Sequence, residues 1–260
     1  MVEAILALPA HIRGRLALAL ETGALEMSAS PASLSSVLGG GGDAAQAGEA
    51  LATLRRLGLS GSAAAVFVRG VGEAASRVVR PDMVWSGPEV AGLHARDTRR
   101  VYEELLTSAK RTVLACTYAF FDGPKAFELL AERMVSVAGL KVTLLLNIER
   151  KRGDTSAPDQ LVRRFADRFW RTDWPGSVRP SVYYDPRSLE LDGPAGVLHA
   201  KSLVVDDETV LVTSANMTEA ALDRNIELGL LVHDPALAAS VTRHFQGLID
   251  CRMLVPLPAS

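Results

Sequence analysis

Apolar residues recur at helical spacing through the first 80 residues, which are rich in Ala, Leu and Ser. Leu51, Leu54 and Leu57 fall on one face of such a helix, and Ser30 before Pro31 is a typical helix start. Glycines at 39–42 indicate a break between helices. The pattern predicts a small all-helical domain over 1–80, with helices near 11–22, 31–38, 43–57 and 62–79.

From residue 83 onward, short apolar runs alternate with segments of helical period. The runs predict strands near 111–118, 141–148 and 181–184, and the segments predict helices near 124–137, 157–171 and 236–249. Strands that alternate with helices are typical of an α/β fold. We therefore expect an α/β/α sandwich with a mixed sheet over residues 81–260.

Composition describes an ordinary globular protein of 260 residues, of which 48% are hydrophobic. The formal net charge of -2 gives no global attraction to nucleic acid. Cys116 and Cys251 form neither a disulfide framework nor a metal-binding spacing, which favours a reducing setting. The N-terminus does not read as a signal peptide and no long uncharged run occurs, so we expect a cytoplasmic protein without stable membrane association.

Six polar residues in the last third of the chain combine a nucleophile, a cation, hydrogen-bond donors and carboxylates. They are His199, Lys201, Asp206, Ser214, Asn216 and Glu227. A phosphodiester is anionic, so its cleavage needs a nucleophile together with fixed positive or donor groups around the phosphoryl oxygens. His199 and Lys201 share one face of an extended strand, and a turn at 206–209 followed by a strand at 210–213 would bring Ser214 and Asn216 beside them.

Glu227 alternates with Ile226, Leu228 and Leu230 along the chain. A strand over this segment would point Glu227 away from the apolar set, where its carboxylate can orient a histidine. Taken singly, each motif residue has an ordinary explanation, since Ser and Asn often form turns and a lone His is often a surface residue. Their joint spacing favours a phosphodiesterase site, and a degenerate site that has lost its activity is the alternative.

The series His-x-Lys-x4-Asp-x6-Thr-Ser-x-Asn resembles the HKD signature of the phospholipase D superfamily. Further blocks resemble the DrmC family, the phospholipase D-like component of the bacterial DISARM anti-phage defence systems. These blocks are Trp85-Ser-Gly-Pro88, Tyr184-Asp-Pro-Arg187, Leu198-His-Ala-Lys201, Thr213-Ser-Ala-Asn-Met-Thr-Glu-Ala-Ala221 and Arg224-Asn-Ile-Glu-Leu-Gly229. One departure is Thr213, where many members of the superfamily have glycine.

The resemblance implies a phospholipase D-like fold and a phosphohistidine intermediate, with neither a cofactor nor a metal. In this assignment His199 is the nucleophile, and Lys201 and Asn216 hold the transition-state oxygens. Glu227 hydrogen-bonds the second histidine nitrogen, and Asp206 has a structural role in the hairpin.

Only one copy of the motif occurs in the chain, although the reaction of the superfamily uses two histidines. His94-Ala-Arg96 has a similar spacing but lacks the later Asp and the Ser-x-Asn, so we interpret it as surface, or at most as a substrate contact. A two-fold homodimer would supply the second histidine. The prediction is one composite site per dimer.

Residues 141–187 carry ten Lys/Arg against six Asp/Glu, with six aromatic residues interspersed. Basic residues can neutralise a phosphate backbone while exposed aromatics stack bases. The candidate nucleic-acid contacts are Arg150, Lys151, Arg152, Arg163, Arg164 and Trp174. In the alternative interpretation, Phe165, Phe169 and Trp170 have helical spacing and belong to the core. Arg55 and Arg56 leave open a DNA-reading helix, although solvated arginines at a helix end are commoner.

The motif spacing favours a phosphodiesterase, and the resemblance implies that it is metal-independent and acts as a nuclease in anti-phage defence. Expected partners are a second copy of the chain, nucleic acid with DNA favoured over RNA, and other DISARM components. The alternatives are a phospholipase D that acts on membrane lipids and a noncatalytic adaptor that binds nucleic acid or a defence partner.

Overall fold

The computed structural model describes residues 2–39, 43–76, 79–191 and 196–259. The chain divides into two compact units, Met1–Val79 and Arg80–Ser260. Most of the predicted break at 39–42 lies outside the described residues, although Gly39 itself ends a helix with a left-handed φ of 81°.

Unit 1 is helical because its apolar residues repeat at helical spacing and are buried together. Leu34, Leu38, Leu51 and Leu54 are each at most 1% exposed, and the Ser30 hydroxyl caps its helix by accepting a hydrogen bond from the Ser33 N–H. The prediction of N-terminal helices is confirmed, with one short helix added at the start. The helices are α1 (Glu3–Leu6), α2 (Ala10–Glu21), α3 (Pro31–Leu38), α4 (Asp43–Arg56) and α5 (Gly61–Ser76).

Unit 2 contains a mixed sheet, as predicted. Its strands are β1 (Asp82–Ser86), β2 (Arg96–Asp97), β3 (Thr112–Thr117), β4 (Lys141–Leu146), β5 (Ser181–Tyr184), β6 (Ser202–Val205), β7 (Thr209–Thr213), β8 (Glu227–His233) and β9 (Val255–Pro256). Across the described ranges the strand order is β2-β1-β8-β7-β6-β3-β4-β5-β9. Strands β3, β4 and β5 are parallel, as are β1 and β2, and the other neighbours are antiparallel.

Helices pack against both faces of this sheet. The helices are α6 (Thr98–Ser108), α7 (Gly123–Ser136), α8 (Pro158–Arg168), α9 (Glu219–Asp223) and α10 (Pro235–Asp250). A π-helical turn over Phe169–Asp173 continues α8. Helices α6, α7 and α8 share the larger core cluster, in which Phe127 and Phe169 are fully buried. Helix α10 packs on the other face, over Val204 and Val210.

The second His-x-Arg pair of the sequence, His94-Ala-Arg96, lies where the chain enters strand β2. His94 is exposed, and the guanidinium of Arg96 forms ion pairs with Asp82 and Glu104. The strands β1, β2 and β9 and the helix α6 were not predicted from the sequence.

The turn between β6 and β7 is fastened to the start of β3 by Asp206. Its carboxylate accepts hydrogen bonds from the backbone N–H groups of Lys110, Arg111 and Thr112 at 2.9, 2.7 and 2.9 Å. Burial alone would raise the pKa of Asp206, but these three bonds outweigh it and hold the pKa below its usual value. Asp206 therefore lies at the opposite end of β6 from Lys201, in a structural position.

Asp206→Asn should lower the free energy of unfolding at neutral pH by about 2 kcal/mol, because an amide replaces a charged acceptor of three N–H groups. The folded-state pKa is depressed, so the stabilisation is present above the unfolded pKa and is lost as the pH falls through the folded pKa. Urea unfolding from neutral to acidic pH should show the two proteins converging in acid.

Glu208→Gln is the matched control, because the ion pair of Glu208 with Arg111 is exposed and should contribute under about 1 kcal/mol. Equal losses in the two variants at neutral pH would contradict the role assigned to Asp206.

Candidate active site

Five strands bring their ends to one edge of the sheet. Strands β3 and β4 end there at Thr117 and Leu146, while the antiparallel β6 begins there at Ser202. Strand β7 ends at the same edge at Thr213, and β8 begins there at Glu227. The motif residues from both sides of the hairpin therefore meet although they are distant in sequence.

Lys201 is the buried cation of this edge, with 9% of its surface exposed. Its ammonium lies 3.0 Å from the carbonyl oxygen of His199 and 3.0 Å from each ring nitrogen of that residue. Burial lowers the pKa of Lys201, and the nearby Glu227 carboxylate opposes this shift. His199 and Lys201 thus converge, as their spacing predicts.

Tyr118 packs against both of these groups, directly after β3. Its ring centroid lies 4.9 Å from that of His199 and 5.6 Å from the Lys201 ammonium. Such a ring can hold the imidazole in place and stabilise the cation through its π face. Sequence reasoning missed Tyr118, because its pairing depends on the contact between β3 and β6.

Asn216 has its side-chain amide oriented by the backbone. Its Oδ1 accepts a hydrogen bond from the Ala119 N–H at 3.2 Å, which leaves the NH2 group as the donor for a ligand. The Thr117 hydroxyl ties the same two loops together, since it donates to the Ala119 carbonyl at 2.8 Å and accepts from the Met217 N–H at 3.2 Å. The loops after β3 and β7 are thereby held side by side.

Glu227 and Ser214 form a second polar pair at this edge. The Ser214 hydroxyl donates to the Glu227 carboxylate and accepts from the Leu228 N–H, while Asn225 donates to the other carboxylate oxygen. The expected contact between Glu227 and the imidazole of His199 is absent from the described hydrogen bonds. Ser214 and Asn225 occupy the carboxylate instead, so Glu227 acts on the site through its charge near Lys201.

Thr213, the departure from the usual glycine, is accommodated by a glycine on the neighbouring strand. Thr213 pairs with Gly229 across β7 and β8, and a Cβ added to Gly229 would lie 3.0 Å from the Cβ of Thr213. The threonine hydroxyl also accepts a hydrogen bond from the Ala215 N–H at 3.0 Å. The turn that carries Ser214 and Asn216 therefore keeps its shape.

Cys116 lies buried near Lys201, on the face of the sheet under α10. Burial raises the pKa of its thiol to about 12, despite the opposing charge of Lys201. The thiol therefore stays neutral and is a poor nucleophile at physiological pH.

Two of the predicted nucleic-acid contacts are corrected by the structure. Trp174 is only 6% exposed and packs against Phe127 and Phe169 in the core, so its ring cannot stack on a base. Arg150 donates to the carbonyls of Leu189, Asp154 and Ser156. Its guanidinium therefore stabilises the loop after β4 and is not free to bind a phosphate. Helical spacing of the aromatics indicated the core, as in the alternative interpretation.

The remaining four basic candidates are exposed. Lys151 and Arg152 lie in the loop that follows β4 at the site edge, and Arg163 and Arg164 lie on α8. Arg164 also pairs with Asp154. Of the four, Lys151 and Arg152 follow the strand that ends at the same edge as the motif residues.

The fold and this site define a phospholipase D-like domain. Residues 102–249 match the family described as "Cardiolipin synthase, PLD-like domain". This match covers more than half of the chain, and the chain belongs to that family.

Two curated relatives are similar in sequence to this chain. The chain is 28% identical to cardiolipin synthase B of Salmonella typhi over 163 residues, which is 62% of this chain and 35% of the relative. It is 26% identical to the DISARM protein DrmC of Bacillus paralicheniformis over 153 residues, which is 58% of this chain and 56% of the relative. The chain thus spans about a third of the length of the cardiolipin synthase.

Two solved structures are also similar to this chain. NucT from Helicobacter pylori aligns with a TM-score of 0.47 at 16% identity, over 68% of this chain and 99% of that chain. The phospholipase D family member Nuc from Salmonella typhimurium aligns with a TM-score of 0.43 at 19% identity, over 68% of this chain and 97% of that chain.

Tyr118→Ala should lower kcat for bis(p-nitrophenyl) phosphate about tenfold, because the imidazole and the ammonium lose the ring that positions them. Tyr118→Phe keeps the ring and is the matched control, which should stay within about twofold of the wild type. The pH profile of kcat is a second readout, which a general loss of folding would not shift. Equal losses in both variants would instead assign the effect to the hydroxyl.

Proposed function

We propose that this protein is a phosphodiesterase of the phospholipase D type that cleaves nucleic acid, at a site completed by a second copy of the chain. The observation that supports this most directly is the cluster of an exposed imidazole, a buried ammonium and an oriented amide at one sheet edge. The cluster supplies a nucleophile and two donors for phosphoryl oxygens, which is what a phosphodiester requires.

In the first step, neutral His199 attacks phosphorus. A phosphorus–nitrogen bond forms and the bond to the leaving oxygen breaks, while the partner subunit's His199 donates a proton to that oxygen. Lys201 and the NH2 group of Asn216 hold the nonbridging oxygens, whose negative charge develops in the transition state. Glu227 favours the charged form of Lys201 throughout.

In the second step, water replaces the histidine. The partner subunit's His199, now neutral, takes a proton from the water, whose oxygen attacks phosphorus as the phosphorus–nitrogen bond breaks. This returns His199 to its neutral form and releases a phosphomonoester. His199 is thus the nucleophile and then the leaving group, while the partner subunit's His199 acts first as acid and then as base, and so a chain with one copy of the motif needs a partner.

Nucleic acid is the substrate we favour, because Lys151 and Arg152 are exposed in the loop that follows β4, and basic residues can neutralise a phosphate backbone. DNA is favoured over RNA by the similarity to DrmC, from which we also infer a role in anti-phage defence beside other DISARM components. The second candidate substrate is a membrane phospholipid, supported by the similarity to cardiolipin synthase B. None of the helices in the described ranges combines the length and the apolar character needed to span a bilayer.

His199→Ala should abolish cleavage of labelled single- and double-stranded DNA, with a loss of about a thousandfold or more, because the nucleophile is removed. The wild type should remain active in EDTA, since the proposed steps use only side chains. Product on denaturing gels is the measurement, and circular dichroism verifies the fold of each variant.

His94→Ala is the matched control, because His94 is exposed and belongs to the second His-x-Arg pair. It should leave cleavage unchanged. Cleavage of phosphatidylglycerol vesicles but not of DNA would select the lipid substrate. DNA binding without turnover of any diester, by either wild type or His199→Ala, would select the adaptor.

Replacement of both Lys151 and Arg152 by Ala should weaken binding of single-stranded DNA. If each residue contacts one phosphate, the slope of log K against log salt should fall by roughly 1.4. Turnover of bis(p-nitrophenyl) phosphate should not change, because that diester has no extended backbone. Fluorescence anisotropy at several salt concentrations measures the slope.

Arg55 and Arg56 supply the charge-matched control, since both lie at the end of α4 in the helical unit. Their double replacement by Ala should leave the slope unchanged. A larger effect there than at Lys151 and Arg152 would instead place DNA on the helical unit.

A further inference from the structure

Phe121 is the most exposed aromatic residue of the chain. Every aromatic residue is described, and Phe121 is 73% exposed while the others are buried or half-buried. Its neighbour Phe120 turns the other way and packs in the core against Phe127 and Phe165. A single exposed apolar side chain is common on protein surfaces. What distinguishes Phe121 is where it lies.

Phe121 continues the loop that orients Asn216. The Ala119 N–H donates to the Asn216 side chain at 3.2 Å, and Phe120 pairs with Met217 in an isolated parallel bridge. The loops after β3 and β7 therefore run side by side here, and Phe121 is the next residue along the first of them. It thus adjoins the amide that holds a phosphoryl oxygen in the proposed reaction.

The backbone that carries Phe121 is fixed on its other side as well. Asp122 has a left-handed φ of 54°, a conformation that aspartate tolerates but that still costs energy. Gly123 lies so close to Asp173 that an added Cβ would be 2.8 Å from its carbonyl oxygen, and only glycine fits. Backbone strain clusters at active sites and ligand clamps, where the surrounding structure maintains it. The loop therefore holds the Phe121 backbone in one place.

Phe121 lines a cleft of about 660 Å³ in unit 2, between α6 and α7. The apolar lining includes Leu106 of α6, Leu129 of α7 and Met217. Neither the nucleophilic imidazole nor the buried ammonium of the site lines this cleft, so it adjoins the site without coinciding with it. Small-molecule sites have volumes of roughly 300–1,000 Å³, so the cleft has room for one base and its sugar.

The charged lining of the cleft is acidic. Its two cations, Arg99 and Lys125, are both paired with Glu219, at 3.0 and 3.1 Å. A phosphate is repelled by such a lining, whereas a nucleobase is neutral and carries an N–H donor on its polar edge, for which a carboxylate is an acceptor. Three further carboxylates line the cleft and form no ion pair within the described ranges, namely those of Glu103, Glu128 and Glu132.

We propose that the nucleobase next to the scissile phosphate stacks on Phe121 and enters this cleft, which is a base-binding subsite. The inference rests on the proposed cleavage of nucleic acid. With the phosphate held by Lys201 and Asn216, the adjoining base reaches the Phe121 ring, and its polar edge meets the carboxylates. Every base has a π face, so the subsite accepts all four. The acyl chain of a lipid has no donor for the carboxylates, and so the lining favours a base.

The test compares two labelled oligomers of equal length. One is single-stranded DNA, and the other has a tetrahydrofuran ring in place of each nucleoside, which keeps the phosphates and removes the bases. In a His199→Ala background, fluorescence anisotropy measures binding without turnover. Phe121→Ala should reduce the preference for DNA over the baseless oligomer about tenfold, and Phe121→Trp should restore it. An unchanged preference in Phe121→Ala would overturn the proposal.

Val135→Ala is the matched control. Val135 is 63% exposed on α7, which also carries one wall of the cleft, but it does not line the cleft. This variant should keep the preference for DNA. With His199 intact, the ratio of kcat/KM for the two oligomers should fall in Phe121→Ala by the same factor as the binding preference. A merely structural role would lower kcat/KM for both oligomers equally, and that result would overturn the subsite.

A second measurement needs no substitution at Phe121. An oligonucleotide that carries 5-iodouracil in place of thymine forms adducts with stacked aromatic side chains under near-ultraviolet light. After irradiation with the His199→Ala protein, peptide mapping by mass spectrometry should locate the adduct at Phe121. Adducts confined to other aromatic residues would overturn the proposal.

The subsite and the proposed function fail in different ways. DNA cleavage with a preference that Phe121→Ala leaves unchanged would overturn the subsite alone. DNA binding that depends on Phe121 but is never followed by cleavage would overturn the nuclease and leave the subsite standing. Turnover of phosphatidylglycerol vesicles that falls in Phe121→Ala, with no binding of DNA, would overturn both and assign the cleft to an acyl chain.

Discussion

The carboxylate of Asp206 sets the alignment on which the site depends. It binds three successive backbone N–H groups at the start of β3, and so fixes where the hairpin of β6 and β7 lies against that strand. A shift of one residue would turn every side chain of a strand to the opposite face. The contact of Tyr118 with Lys201, at the far ends of β3 and β6, exists only in this register. A group remote from the reacting atoms therefore determines their arrangement.

Burial of Lys201 strengthens its electrostatic effect on a bound anion and also destabilises its own charged form. Lys201 is only 9% exposed, and this burial lowers the pKa of its ammonium. The Glu227 charge, the Tyr118 ring and the His199 carbonyl replace part of that hydration. A desolvated cation acts more strongly on a phosphoryl oxygen than a solvated one. The burial that disfavours the charged ammonium in the empty site thus favours the binding of an anionic ligand.

The sequence predicted the parts of this molecule that are encoded locally. Residues close together in the chain predict the helices, through the helical spacing of apolar residues, and the strands around the motif. They also predict the approach of His199 to Lys201. Tyr118 and the match of Thr213 with Gly229 depend on pairings between distant strands, which spacing alone does not reveal. Trp174 was misplaced because an aromatic among arginines fits a binding track and a core equally well. Burial decided between them.

Strand β8 places a carboxylate of the site and a row of exposed apolar side chains on opposite sides of the sheet. Its alternation directs Glu227 toward Ser214 and Lys201, and Leu228 and Leu230 toward the other side. The alternation inferred from the sequence is therefore present, but the apolar set faces solvent and not the core of its own unit. One short strand thus carries a charge for the site on one side and exposed apolar side chains on the other.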